Sequence, residues 1–223
     1  MKTYGKKLLA CGVVLVLVFA IWTCLVQMVD VRNVGANGTS IGFVELNMWF
    51  HSVTGVNFTL YEITDWSGLV PVFVCLSFGL LGIFQMIRRK KLLDVDADII
   101  ILGVYYVLVI AGYLIFEMFP INYRPVLIDG IMEASYPSST TLLVLTVMPT
   151  LVFQIKRRVK NKIICKIICI ITVLFSAFMV IGRLVSGVHW LTDIVGSCFL
   201  SAGLFYIYKA VVILWNSAKS LSN

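Results

Sequence analysis

Residues Gly182–Ser197 read GRLVSGVHWLTDIVGS, a polar motif set between two long apolar runs. Arg183 is followed six positions on by His189, and His189 four further by Asp193. On a helix, residues four apart share a face. The spacing therefore predicts that Asp193 hydrogen-bonds one imidazole nitrogen of His189 and turns the other outward. A ring held that way is a better base or nucleophile. Arg183 falls off that face and is expected beyond the helix start, where its guanidinium can fork onto phosphate oxygens.

Working outward, the flanking apolar runs set the class. The chain has 223 residues, 60% hydrophobic and 13% charged, with mean hydropathy +0.99. That composition excludes an ordinary soluble domain and predicts an integral membrane protein. Six runs are long enough for a bilayer core: Leu8–Met28, Ser67–Ile87, Ile99–Phe119, Thr140–Ile155, Ile163–Gly182 and Leu191–Val212. The expected fold is an all-α, polytopic six-transmembrane-helix bundle forming one membrane domain over residues 1–223. The first run follows Lys2, Lys6 and Lys7 but is too long for a cleaved leader, so it is expected to stay as an anchor. The six cysteines (11, 24, 75, 165, 169 and 198) all fall within the runs and are expected to be small buried apolar side chains.

Charge then sets orientation. Arg88 to Lys91 follow the second run, and Lys156, Arg157, Arg158, Lys160 and Lys162 lie between the fourth and fifth. By the positive-inside rule that side, with both termini, is cytoplasmic. The net charge of +7 reads as topology and attraction to an anionic leaflet, and not as nucleic-acid binding. Asp94, Asp96 and Asp98 are expected to form a solvated turn on the same side. Of eighteen basic residues only Arg32, Arg124 and Arg183 map to the outer side, among eight carboxylates. An arginine that escapes the bias is a candidate for a specific partner.

The outer loop before the fourth run carries Arg124-Pro125 and then Pro137-Ser138-Ser139-Thr140-Thr141. Proline with hydroxyl residues at a helix start is an N-cap signature. Free N–H groups and the positive dipole end there, together with Ser138, Ser139, Thr140 and the two arginines, also suit a phosphate. In the first outer loop, Trp49 and Phe50 point to a short interfacial helix, with His51 on its polar face.

These blocks resemble the type-2 phosphatidic acid phosphatases, a family of membrane lipid phosphatases with a six-helix core. The third family block is present intact as Arg183, His189 and Asp193. The first survives as Arg124-Pro125, with Glu117 at the family's lysine position. The second survives as Pro137-Ser138, with Ser139 and Thr140 at its glycine and histidine positions. The resemblance implies that His189 attacks phosphorus to give a phosphohistidine, which water hydrolyses. It implies that Asp193 orients His189, and that Arg124, Arg183, Ser138 and nearby backbone N–H groups hold the equatorial oxygens. It implies no metal or cofactor, and a membrane lipid phosphate or diphosphate as substrate.

Two departures bear on chemistry. The hydroxyl of Thr140 is no acid near neutral pH, and losing a general acid costs about 10²–10⁴-fold, least when the leaving group is itself a phosphate. Glu117 replaces a cation beside an anionic substrate unless it pairs with Arg124 or stays protonated. Three readings follow: a phosphatase favouring good leaving groups such as a polyprenyl diphosphate, a phosphotransferase, or a degenerate relative that binds or moves a phospholipid. A further alternative gathers a divalent cation between Glu117, Asp129, Glu133 and His189.

Overall fold

The computed structural model describes residues 1–91 and 94–222. Its helices are α1 (Lys2–Met28), α2 (Val44–Thr54), α3 (Phe58–Ser67), α4 (Leu69–Arg89), α5 (Ala97–Met118), α6 (Ser139–Arg158), α7 (Lys162–Val185) and α8 (Leu191–Ser222). Six segments are long and apolar enough to cross a bilayer: α1, α3 with α4, α5, α6, α7 and α8. The chain is thus an all-helical, six-span integral membrane bundle. Large apolar side chains such as Leu17, Phe73, Leu80, Leu108 and Leu174 stand exposed around it, as lipid-facing surface requires.

The second span begins nine residues before the expected Ser67. Asn57 caps α3 by accepting a hydrogen bond from the Leu60 amide at 2.9 Å. Gly68 keeps helical angles (φ −60°, ψ −17°), so α3 runs almost directly into α4. Hydropathy concealed this start because α3 carries Glu62 and Asp65, and Asp65 is held by an arginine of another helix.

The fourth span, expected at Thr140–Ile155, runs from Ser139 to Arg158. It looks weak in sequence because its buried side is polar: Thr146, Thr150 and Gln154 are fully inside. Each is satisfied there, Thr146 on the Leu142 carbonyl at 2.7 Å and Gln154 on the Tyr208 hydroxyl at 2.6 Å. Helix α8 packs on α6 and also receives α1. Where α1 and α8 cross, a Cβ on Gly12 would lie 2.9 Å from the Gly203 carbonyl oxygen. Small residues at such a crossing let two backbones approach closely.

Two sequence expectations are corrected. Cys11 and Cys24 are exposed on the bundle surface rather than buried, and the other four cysteines are half-buried; all six are free. Thiols are apolar enough to face lipid as readily as core. The aspartates before α5 are not simply solvated: Asp96 pairs with Arg89 at 2.8 Å, and Asp98 is buried against Arg158 at 3.0 Å and Arg157 at 3.4 Å. Hydrogen bonding from Arg89 holds the Asp96 carboxyl below its ordinary range.

Candidate functional site

At the opposite end of the bundle the loop between α5 and α6 folds back as a short hairpin. Asp129 and Gly130 both take positive φ (50° and 77°) in a tight turn closed by mutual Ile128–Ile131 hydrogen bonds. Asp-Gly is the favoured pair for such a turn. The antiparallel register then sets Arg124 against Glu133 and Asn122 against Ser135 (3.1 and 2.9 Å). This pairing carries Arg124 and Ser135 inward together.

The α7–α8 turn meets the hairpin. Gly187 has φ 69°, and a Cβ there would sit 1.8 Å from the Gly55 carbonyl oxygen, so only glycine fits. The Trp190 indole donates to the Tyr123 carbonyl at 2.8 Å, and the His51 ring nitrogen lies 3.2 Å from the Gly187 carbonyl. Helix α2, the expected interfacial helix, docks through Asn47, whose amide nitrogen reaches Thr192 Oγ1 at 3.0 Å. His51 therefore supports the turn and is not simply a polar-face residue.

His189 precedes α8 and Asp193 lies in its first turn, so the two do not share a helical face as expected. Their nearest approach, Nδ1 to Oδ2, is 3.8 Å, too long for a hydrogen bond. Asp193 Oδ2 instead accepts from the Trp190 amide at 2.9 Å, the backbone half of a capping box. It also accepts from the Ser135 hydroxyl, and Ser135 Oγ stands 3.2 Å from His189 Nδ1. Ser135, Asp193 and His189 are all buried. Ser135 thus joins the pair, and the spacing in sequence gave no hint of it.

Two buried guanidiniums complete the cluster. Arg183, in the last turn of α7, lies over the Tyr61 ring at 4.7 Å and pairs with Asp65 at 3.3 Å. Its Nη1 also reaches toward the Tyr61 carbonyl and Thr64 Oγ1, each at 3.4 Å. The fork expected to be open is therefore partly engaged by α3. Arg124 lies over the same ring at 5.5 Å and pairs with Glu133 at 2.9 Å. Glu117 is exposed and is not the partner of Arg124. Among the described residues, Arg124 Nε and Nη1, Arg183 Nε and His189 Nε2 are buried without a hydrogen-bond partner. Buried polar atoms are rarely left so, and three guanidinium nitrogens beside an equally unpartnered imidazole Nε2 mark a place shaped for a polar ligand. Burial first, then the charges of Arg124 and Arg183, hold the His189 pKa well below 6.5, so the ring is neutral.

The second-block residues are placed differently from one another. Ser138 is fully buried; its hydroxyl donates to Thr141 Oγ1 at 3.1 Å and its carbonyl accepts from Ser197 at 3.0 Å. Ser139 and Thr140 are half-buried and line a hollow of about 250 Å³ with Asp65, Gly68 and Tyr113. Through Asp65 the hollow adjoins Arg183. Glu117, Asp129, Glu133 and His189 do not converge: among the described residues no three His, Cys, Asp or Glu stand close enough to share a metal ion.

The chain is similar to known proteins in both sequence and structure. The sequence profile of the PAP2 superfamily matches residues 72–216. A transmembrane PAP2-type phosphatidylglycerolphosphate phosphatase from Bacillus subtilis superposes with TM-score 0.64 at 17% identity, covering 90% of this chain and 94% of that one. No curated protein matches the chain. At that identity the superposition speaks for the fold alone; with the profile covering well over half the residues, this six-span membrane protein belongs to the PAP2 superfamily.

Proposed function

We propose that the chain is a lipid phosphate or diphosphate phosphatase in which His189 Nε2 attacks phosphorus. The observation that carries this reading is the set of unpartnered N–H groups on two buried arginines beside a neutral imidazole whose Nε2 is also unpartnered. A phosphoryl group supplies acceptors for those N–H groups, and a neutral ring has the lone pair that attack requires. With the Nδ1–H given to Ser135 Oγ, and Ser135 in turn donating to Asp193, the lone pair is fixed on Nε2. As the P–O bond to the leaving group breaks, Asp193 stabilises the charge acquired by the ring. Water then hydrolyses the P–N bond and releases phosphate. Arg124, Arg183 and the α6 N-terminus with Ser138, Ser139 and Thr140 bind the equatorial oxygens.

With a threonine where the resembling family has its acid, the reading favours leaving groups that depart without protonation, such as the polyprenyl monophosphate released when the terminal phosphate of a polyprenyl diphosphate is transferred. The positive-inside bias puts this site on the extracytoplasmic side of the cell membrane and both termini in the cytoplasm. One membrane domain over residues 1–223 suffices for it.

The test is phosphate release by detergent-purified protein from a polyprenyl diphosphate and from a phosphatidic acid, each against His189→Ala. Release that the substitution abolishes is expected, fastest from the diphosphate. Release unchanged by His189→Ala would end the proposal. Placement of Thr140 against Gly68, with no titratable ring at that position, favours a second reading: a relative that binds or translocates a phospholipid without chemistry. Phosphate on His189 after mixing with substrate is incompatible with that second reading.

A further inference from the structure

We propose that a groove at the start of α7, at the end of the bundle away from His189, is a binding site for an anionic phospholipid of the bilayer. The groove has a volume of about 660 Å³, within the range of small-molecule sites. Lys156, Lys160, Lys162 and Lys166 line it. No carboxylate lies anywhere between residues 134 and 192 in the sequence. The neighbouring Arg157 and Arg158 are taken up by Asp98, whereas the four lysines form no ion pair among the described residues. The arginines here serve the fold, and the lysines are left for something else.

Below the lysines the wall turns apolar, with Cys169, Ile170, Val173 and Leu174. Lys162 and Lys166 lie on the same helical face as these residues, at spacings of four, seven, eight, eleven and twelve. From Lys166 to Leu174 the face runs about 12 Å along the helix. An ammonium cluster continuous with an apolar stripe matches one ligand chemistry: a phosphate ester joined to an acyl chain. The positive dipole end of α7 adds to the field at the lysines. Orientation bias alone explains lysines in this loop, but not their gathering around a single groove that continues into an apolar wall.

The site is tested on the full chain by photolabelling with a photoactivatable phosphatidylglycerol analogue and, in parallel, its phosphatidylcholine counterpart. Inorganic phosphate serves as competitor. We expect the anionic lipid to label residues 156–174 about tenfold more than the neutral one. Labelling is expected to be unaffected by His189→Ala, which separates this result from the fate of the phosphatase reading. Replacing the four lysines by glutamine should abolish the preference, and replacing them by arginine should keep it. If the fourfold glutamine variant does not fold, Lys160→Gln with Lys162→Gln should reduce the preference severalfold. Equal labelling by both lipids, or labelling confined to the His189 end, overturns the proposal. Displacement by millimolar inorganic phosphate also overturns it, because the ligand is then the free ion.

Discussion

Ser135 Oγ stands 3.2 Å from His189 Nδ1 and donates to Asp193 Oδ2, while His189 and Asp193 themselves approach no closer than 3.8 Å. The serine is therefore the physical link between ring and carboxylate. Without it Asp193 still caps α8 through the Trp190 amide, but the ring is free to turn. Ser135→Ala is expected to lower kcat for lipid diphosphate by about 10–100-fold, the value of one hydrogen bond to a charged group, with little change in KM. Ser135→Thr keeps the hydroxyl and should recover most of the rate. A loss of expression with both variants, or equal loss in kcat and folded yield, would assign Ser135 to structure alone.

The depressed His189 pKa fixes the sign of a pH effect. Below 6.5 the unfolded ring takes a proton that the buried, arginine-flanked ring refuses. The stability contributed by this group is therefore complete above pH 6.5 and is lost as pH falls toward the folded value. The acid limb of kcat/KM should accordingly lie below pH 6.5. With only two histidines in the chain, NMR titration of labelled imidazoles needs one variant, His51→Gln, for assignment. A His189 ring that titrates at or above 6.5 would mean that burial and the two arginines do not hold it neutral.

Both guanidiniums lie over the Tyr61 ring, at 5.5 Å for Arg124 and 4.7 Å for Arg183, and removing the ring takes away a contact from each. Cation–π contacts are worth about 0.5–2 kcal/mol each. Tyr61→Ala should raise KM by about tenfold or more, and Tyr61→Phe should stay near wild type because the ring face is what matters. A Phe variant as impaired as the Ala variant would move the role to the phenol hydroxyl.

How legible this was in the sequence depended on the range of the signal. The spans followed from hydropathy, and Arg183, His189, Asp193 and Arg124 from local blocks. Helix α3 was hidden because Asp65 looks like a loop residue until its partner Arg183, far along the chain, is known. Ser135 meets His189 across 54 residues of sequence, through a hairpin register that no local pattern encodes. The hairpin itself was signalled by Asp129-Gly130, a turn pair that could have been read as such. Tyr61 gave no signal, since an aromatic near the end of a membrane span is ordinary.

Thr140 offers the sharpest check on the leaving-group argument. It borders a hollow of about 250 Å³ that also contains Asp65, with its methyl carbon 3.6 Å from where a Cβ on Gly68 would lie. An imidazole at position 140 has space in that hollow and a carboxylate on its wall to favour the protonated form. Thr140→His should therefore raise turnover of phosphatidic acid, whose alkoxide needs a proton, by about tenfold or more. Turnover of a polyprenyl diphosphate should change little, because its departing phosphate already bears the charge. Comparing the two substrates side by side in the same preparation gives a ratio that folding yield does not affect. If both rates rise together, protonation of the leaving group is not what Thr140 limits; if neither rises, position 140 does not face the scissile oxygen.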